Sequence, residues 1–134
     1  GCERGCDAQH LQDLLDQCLQ QQGLSISDIV SINSIDIKAD EVGLIELARD
    51  QAKLYQTFSA ENLAAVSDQL QTPSEYVYNT VGVYGVAESA ALWAAQQATQ
   101  SQAELVLAKQ KTPKATCAIA RAYPPGSGST GMLD

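Results

Sequence analysis

Histidine occurs once in the chain, at His10, and Phe, Trp and Met also occur once each. A single imidazole has no second one to complete a histidine metal site, and His10 falls off the apolar stripe of its helix, which marks it as a surface residue. There is no G-x-S-x-G string and no Ser/His/Asp set, so covalent acyl transfer has no support. Basic residues are scarce, 8 Lys and Arg against 16 Asp and Glu, and the formal charge of −8 excludes a nucleic-acid partner, which would reward clustered cations. The longest apolar runs, 86–95 and 117–120, fall short of the roughly 20 residues a membrane helix needs. No membrane association and no signal peptide are expected. The four cysteines, at 2, 6, 18 and 117, match neither a Cys-x-x-Cys redox pair nor a zinc framework. Neither a metal nor a cofactor is expected, and the reducing cytoplasm is the expected location. Cys18 and Cys117 read as small core hydrophobes. Cys2 and Cys6 are expected to be exposed beside the positive end of a helix, which would lower their pKa values.

What the chain does contain is enough aliphatic residue for a core, since 45% of its 134 residues are hydrophobic and most of those are Ala, Leu, Ile and Val. Asp7 caps a helix reaching about Gln22, with Ala8, Leu11, Leu15, Cys18 and Leu19 at steps of three and four, and Gly23 ends it. A β-branched strand over 29–37, a helix over 41–50 and a strand over 53–58 follow, an alternation that implies parallel pairing. Ser59 caps a short helix to about Val66, Ser74 opens another that stops before Gly82, and an alanine-rich helix covers 86–99. Strands over 104–107 and 115–120, joined through the lysine-bearing segment 108–114, form an antiparallel hairpin, so the sheet is mixed and mostly parallel. Beyond Tyr123 the Pro, Gly and Ser residues read as a flexible tail or linker over 123–134, leaving one domain over 1–122.

The segment Lys38-Ala39-Asp40-Glu41 sits between a strand and a helix, where α/β folds place their chemistry. Two readings stand side by side. Asp40 and Glu41 complement the positive end of the helix and Lys38 is solvated, or all three face a ligand in the crevice above the strand ends.

Several strings, in order along the chain, resemble one family. They are the turn Gly1-Cys2-Glu3-Arg4-Gly5, the D-x-K-A-D-E-x-G-L pattern from Asp36 to Leu44, and F-S-A-E-x-L at Phe58, Ser59, Ala60, Glu61 and Leu63. They continue with P-S-x-x-V at Pro73, Ser74 and Val77, then Gly82 with V-A-E-x-A-A-L from Val86 to Leu92, and Lys109 after the next strand. Together they resemble the C-terminal domain of the cobalamin-biosynthesis protein CbiG and its stand-alone relative CobE. The resemblance implies a three-layer α/β/α domain that handles a tetrapyrrole or corrinoid intermediate. In CbiG proteins the activity is opening of the ring A δ-lactone of cobalt-precorrin-5A with release of acetaldehyde; the CobE branch implies a non-catalytic binder or carrier. It further implies partnership with the CbiG N-terminal domain or a neighbouring methyltransferase domain. A second copy of the chain, paired along a sheet edge, is a further expected partner. Family members commonly have Ser at the position of Gly85.

A ring bearing many acetate and propionate groups calls for cations and backbone N–H groups. Arg4 offers a bidentate fork and Lys38 a point charge. Gly1, Cys2 and Gly5 in the first turn, with Asp40, Ser74 and Gly85 at the helix starts, complete the expected substrate-binding set. Lactone opening needs a base and an oxyanion donor; Glu41 is the first choice of base and Glu88, one turn into the alanine helix, the second. Plain structural roles weigh against several of these, namely an ion pair to Glu3 or Asp7 for Arg4, a cap for Ser74 and a backbone-bonded helix-end carboxylate for Glu88.

Overall fold

The computed structural model describes residues 1–123, so the predicted tail lies, apart from Tyr123, outside the described residues. Helix α1, Ala8–Gln21, starts where Asp7 accepts a hydrogen bond from the His10 amide at 2.8 Å. Its predicted stripe is buried at Leu11, Leu14, Leu15, Cys18 and Leu19, and Gly23, at φ +67°, turns the chain away. Strand β1 is Ser31–Ile35, shorter than the predicted 29–37. Its partner β2, Leu54–Phe58, offers five residues, and the parallel register from Ser31 opposite Leu54 to Ile35 opposite Phe58 uses all of them. With no partner beyond Ile35, residues Asp36–Lys38 tighten into a 3-10 turn and leave Ile37 exposed. Helix α2, Val42–Asp50, crosses from that turn back towards β2.

Helix α3, Ala60–Ala64, and helix α4, Glu75–Val81, are capped by the hydroxyls of Ser59 and Ser74, and Gly82 closes α4 in the left-handed conformation. The alanine-rich helix α5 is Val86–Thr99, as predicted. Strands β3, Glu104–Lys111, and β4, Thr116–Arg121, form the expected antiparallel hairpin. β3 runs on through most of the predicted connection because two register shifts, after Leu105 and after Leu107, absorb the extra residues. The turn is confined to residues 112–115, where the Thr112 amide donates to the Ala115 carbonyl at 2.8 Å.

These elements stack in three layers. α1 and α2 bury Leu11, Leu15, Leu44 and Leu47 against Ile32, Tyr55 and Ile119 on one face of the strands. On the other face α5 packs across β1, β3 and β4, with Ile35, Leu63, Val83 and Ala90 in one cluster and Val66, Leu92 and Ala103 in another. Alanine gives α5 a flat surface that approaches the sheet closely. Among the described residues the strands form two ladders, parallel β1–β2 and antiparallel β3–β4, with a slot of about 540 Å³ between β1 and β4. Residues 1–3 run antiparallel to the start of β4: Gly1 and Thr116 exchange both backbone bonds, and the Glu3 amide donates to Lys114.

Gly43 fixes how α2 meets the N-terminal turn. A Cβ there would lie 2.2 Å from the Cys6 carbonyl oxygen and 3.2 Å from a Leu11 methyl. Backbone cannot rotate aside as a side chain can. Overpacking of this kind costs about 1–3 kcal/mol, enough to outweigh the ~1 kcal/mol alanine gains over glycine inside a helix. Gly43→Ala is therefore expected to lower the urea midpoint with an unchanged slope; a raised midpoint would show that the contact yields.

Candidate functional site

The 3-10 turn after β1, the start of α2 and the loop ahead of α1 meet at the C-terminal ends of the parallel strands, and there they bring Arg4, Gly5, Lys38, Asp40 and Glu41 together. Glu41 is the N-cap residue of α2, yet its side chain makes no capping bond. It turns inward and is 3% exposed. One carboxylate oxygen accepts from the Gly5 amide at 3.1 Å; the other accepts from Arg4 Nη1 at 3.3 Å and lies 4.0 Å from Lys38 Nζ. Gly5 can present its amide this way because its φ is +81°. The carboxylate it approaches is the protein's own.

Arg4 bridges inside and outside. Its Nη2 donates to the Ile37 carbonyl, and its Nη1 also donates to Asp40 at 2.8 Å. The Arg4 side chain is 55% exposed and that of Asp40 83%. The hydrogen bond and charge of Arg4 hold the Asp40 carboxyl below the usual carboxylate range. The Lys38 side chain, by contrast, is only 16% exposed. Among the described residues its one ion pair is the long contact to Glu41, leaving an ammonium with donors to spare. Tyr55, from β2, donates its phenol proton to the Lys38 carbonyl at 2.7 Å and so pins the turn. Burial, aided by Cys2 and Glu41, pushes this phenol up to about 12, so it remains a donor. Ser34 Oγ, fully buried on the same face of β1, has no hydrogen bond of standard geometry and lies against the Tyr55 phenol.

The other predicted residues lie outside this knot. Glu88 is 1% exposed and accepts four hydrogen bonds, from the amides of Gln71 (2.8 Å), Thr72 (3.1 Å) and Lys109 (2.8 Å) and from the Thr72 hydroxyl (3.0 Å). It ties α5 to β3 and to the loop before α4. Burial alone would raise its pKa, but the Lys109 and Thr72 amides, the Thr72 hydroxyl and the Gln71 amide together leave it below the usual value. Ser74 Oγ accepts from the Val77 amide at 3.3 Å, a cap. Gly85 is the uncapped N-cap of α5. A Cβ at Gly85 would make only ordinary contact with Leu70, so a serine fits. Gly1 and Cys2 belong to the strand-like segment beside β4.

The expectation of exposed, acidic Cys2 and Cys6 is overturned. Cys6 is buried, Cys2 half-buried, and burial raises both thiols. The expected Arg4 partners are also replaced: Asp40, Glu41 and Ile37 hold it, not Glu3 or Asp7. Sequence reasoning missed Tyr55, Ser34 and Gly43. Gly43 had a signal, since glycine is a poor residue in the first turn of a helix. Tyr55 and Ser34 had none, because strand pairing places them. No group of three or more His, Cys, Asp or Glu side chains converges to hold a metal among the described residues, and none of their helices is long and apolar enough to cross a membrane.

A parallel β-α-β unit joined to an antiparallel hairpin, with two cations at the strand ends, defines a small three-layer α/β domain. The chain belongs to the family described as Cobalamin synthesis G C-terminus, which matches residues 1–120. It is 30% identical over 120 residues to a cobalt-precorrin-5A hydrolase of Priestia megaterium, covering 90% of this chain and 30% of that one. To protein CobE of a Sinorhizobium species it is 32% identical, covering 90% and 75%. The crystal structure of CobE, a protein from the cobalamin biosynthetic pathway, superposes with a TM-score of 0.87 at 35% identity, over 91% of this chain and 86% of that one. For cobalamin biosynthesis protein chiG of Agrobacterium tumefaciens the values are 0.67 and 26%, over 91% and 94%.

The Glu88 knot gives a pH prediction. Its folded pKa is depressed, so its contribution to stability is complete above the ordinary glutamate value and is lost as pH falls through the lower folded value. Glu88→Gln should destabilise the domain at neutral pH and flatten the acid limb of a plot of urea midpoint against pH. An acid limb as steep as that of wild type would assign the titration to another group.

Proposed function

We propose that this domain binds a corrinoid intermediate of cobalamin biosynthesis and takes part in opening the ring A δ-lactone of cobalt-precorrin-5A with release of acetaldehyde. The observation that carries the reading is the pair of cations at the strand ends: Arg4, half-exposed and reaching both inner acceptors and the exposed Asp40, and Lys38, mostly covered and, among the described residues, held by one ion pair of 4.0 Å. Such groups suit the carboxylates of the macrocycle. Because the chain spans 30% of the length of the hydrolase it resembles, the remainder of a longer polypeptide is the proposed partner in completing the site.

In this reading Glu41 serves as base and Lys38 Nζ as the donor to the developing oxyanion. Substrate acids that draw Arg4 and Lys38 towards themselves free a Glu41 oxygen to accept a proton. Water then adds to the lactone carbonyl as its proton passes to Glu41, and the acyl C–O bond breaks to give an acid and an alcohol. Loss of the alcohol proton releases acetaldehyde, the electron pair of the broken C–C bond staying with the ring. Glu88, saturated by four donors, is a positioning residue for α5 under this proposal.

One observation favours a second reading, a non-catalytic corrinoid carrier akin to CobE: both oxygens of Glu41 are already engaged. Acetaldehyde release from cobalt-precorrin-5A decides between the two. Turnover that disappears in Glu41→Gln supports hydrolysis, whereas a spectral shift of the corrinoid without acetaldehyde supports the carrier. Full turnover by Glu41→Gln would remove Glu41 from the mechanism. Lys38→Met is expected to weaken corrinoid binding by about tenfold or more under either reading, the scale of one hydrogen bond to a charged group.

A further inference from the structure

Asp40 stands out in the cation cluster because, among the described residues, Arg4 is the one side chain that hydrogen-bonds its carboxylate, with Lys38 adding only a weaker charge effect. Asp40 is 83% exposed, caps no helix, and sits at the outer corner of a guanidinium whose other contacts, Ile37 O and the buried Glu41, belong to the fixed part of the molecule. Those inner acceptors orient the fork before any ligand arrives. Its outward N–H therefore points at a position shaped for a carboxylate, and a carboxylate of the protein is in it, 2.8 Å away.

From this arrangement we infer that Asp40 is an internal stand-in for a ligand carboxylate, a displaceable competitor that sets which acids Arg4 will accept. The inference rests on the corrinoid-binding reading and assigns Asp40 the opposite sign to a binding residue: removing its charge tightens binding. The physical reasons are two. An exposed ion pair is weak and exchanges readily for an equivalent partner. The exchange also leaves Asp40 beside an incoming anion, on a chain that already carries a formal charge of −8, so each ligand must overcome a like-charge penalty. A ligand with one acid group gains only what Asp40 gives up. A macrocycle with many acid groups engages Lys38 at the same time, and that second contact carries it past the penalty. Selectivity here comes from a repulsive element placed next to an attractive one.

The test is a titration with two tetrapyrroles of different acidity, uroporphyrin with eight carboxylates and protoporphyrin with two, followed by absorbance and by Trp93 fluorescence at low salt. Wild type should prefer uroporphyrin. Asp40→Asn should bind both more tightly, by about two- to fivefold, with the larger gain for protoporphyrin, so that selectivity narrows. Arg4→Gln should weaken binding, and adding Asp40→Asn to it should give a smaller gain than in wild type, because the site for which Asp40 competes is gone and only the like-charge penalty is relieved. Unchanged or weaker binding by Asp40→Asn, with wild type binding normally, overturns the inference alone. If neither wild type nor Asp40→Asn takes up either tetrapyrrole, the corrinoid-binding reading fails and the inference with it. A thermal midpoint of Asp40→Asn equal to that of wild type confirms that the comparison is between folded proteins.

Discussion

One buried carboxylate holds together the charged cluster at the strand ends of this domain. Glu41 joins two segments that are distant in the chain: the N-terminal turn, through the Arg4 side chain and the Gly5 amide, and the Lys38 turn after β1. A carboxylate that is 3% exposed needs compensation for lost water, and a backbone amide with two cations supplies it. The close approach of Gly43 to the Cys6 carbonyl brings α2 near enough for these bonds to form. Without that approach Arg4 would be an ordinary surface arginine, and nothing would orient it towards the crevice.

The same economy recurs outside that cluster. Glu88 gathers four donors from two different stretches of chain, fixing the start of α5 against β3 and the loop at Gln71 and Thr72. Both acids that sequence reasoning selected as bases are thus, first of all, organising anions. For Glu88 the donors fill every position from which it could take a proton. For Glu41 the partners include two cations, which under the proposed function a polyanionic ligand competes for.

Much of the fold was legible because local rules and tertiary packing agree. The apolar stripe of α1, the serine caps at Ser59 and Ser74, and the glycines ending α1 and α4 lie where residue type puts them. Misplaced boundaries trace to pairing. Ile37 is β-branched and looks like strand, but β2 has no residue left to pair with it. The lysines at 109 and 111 look like loop, yet they lie in β3 because its bulges extend the ladder. Cys2 and Cys6 looked exposed because their neighbours are glycine and charged residues, whereas burial against β4 and α2 depends on contacts more than 30 residues away in the chain.

The sequence by itself determined the α/β class, the helix faces and the concentration of charge between β1 and α2, because each follows from residues close together in the chain. Only the tertiary structure decided what those charges do. Arg4 and Glu41 are separated by 37 positions, and no local rule says which of Lys38, Asp40 and Glu41 turns inward. The outcome follows from desolvation: the carboxylate that finds an amide and a guanidinium within reach can be buried, and the one that finds only the outer edge of that guanidinium remains in water.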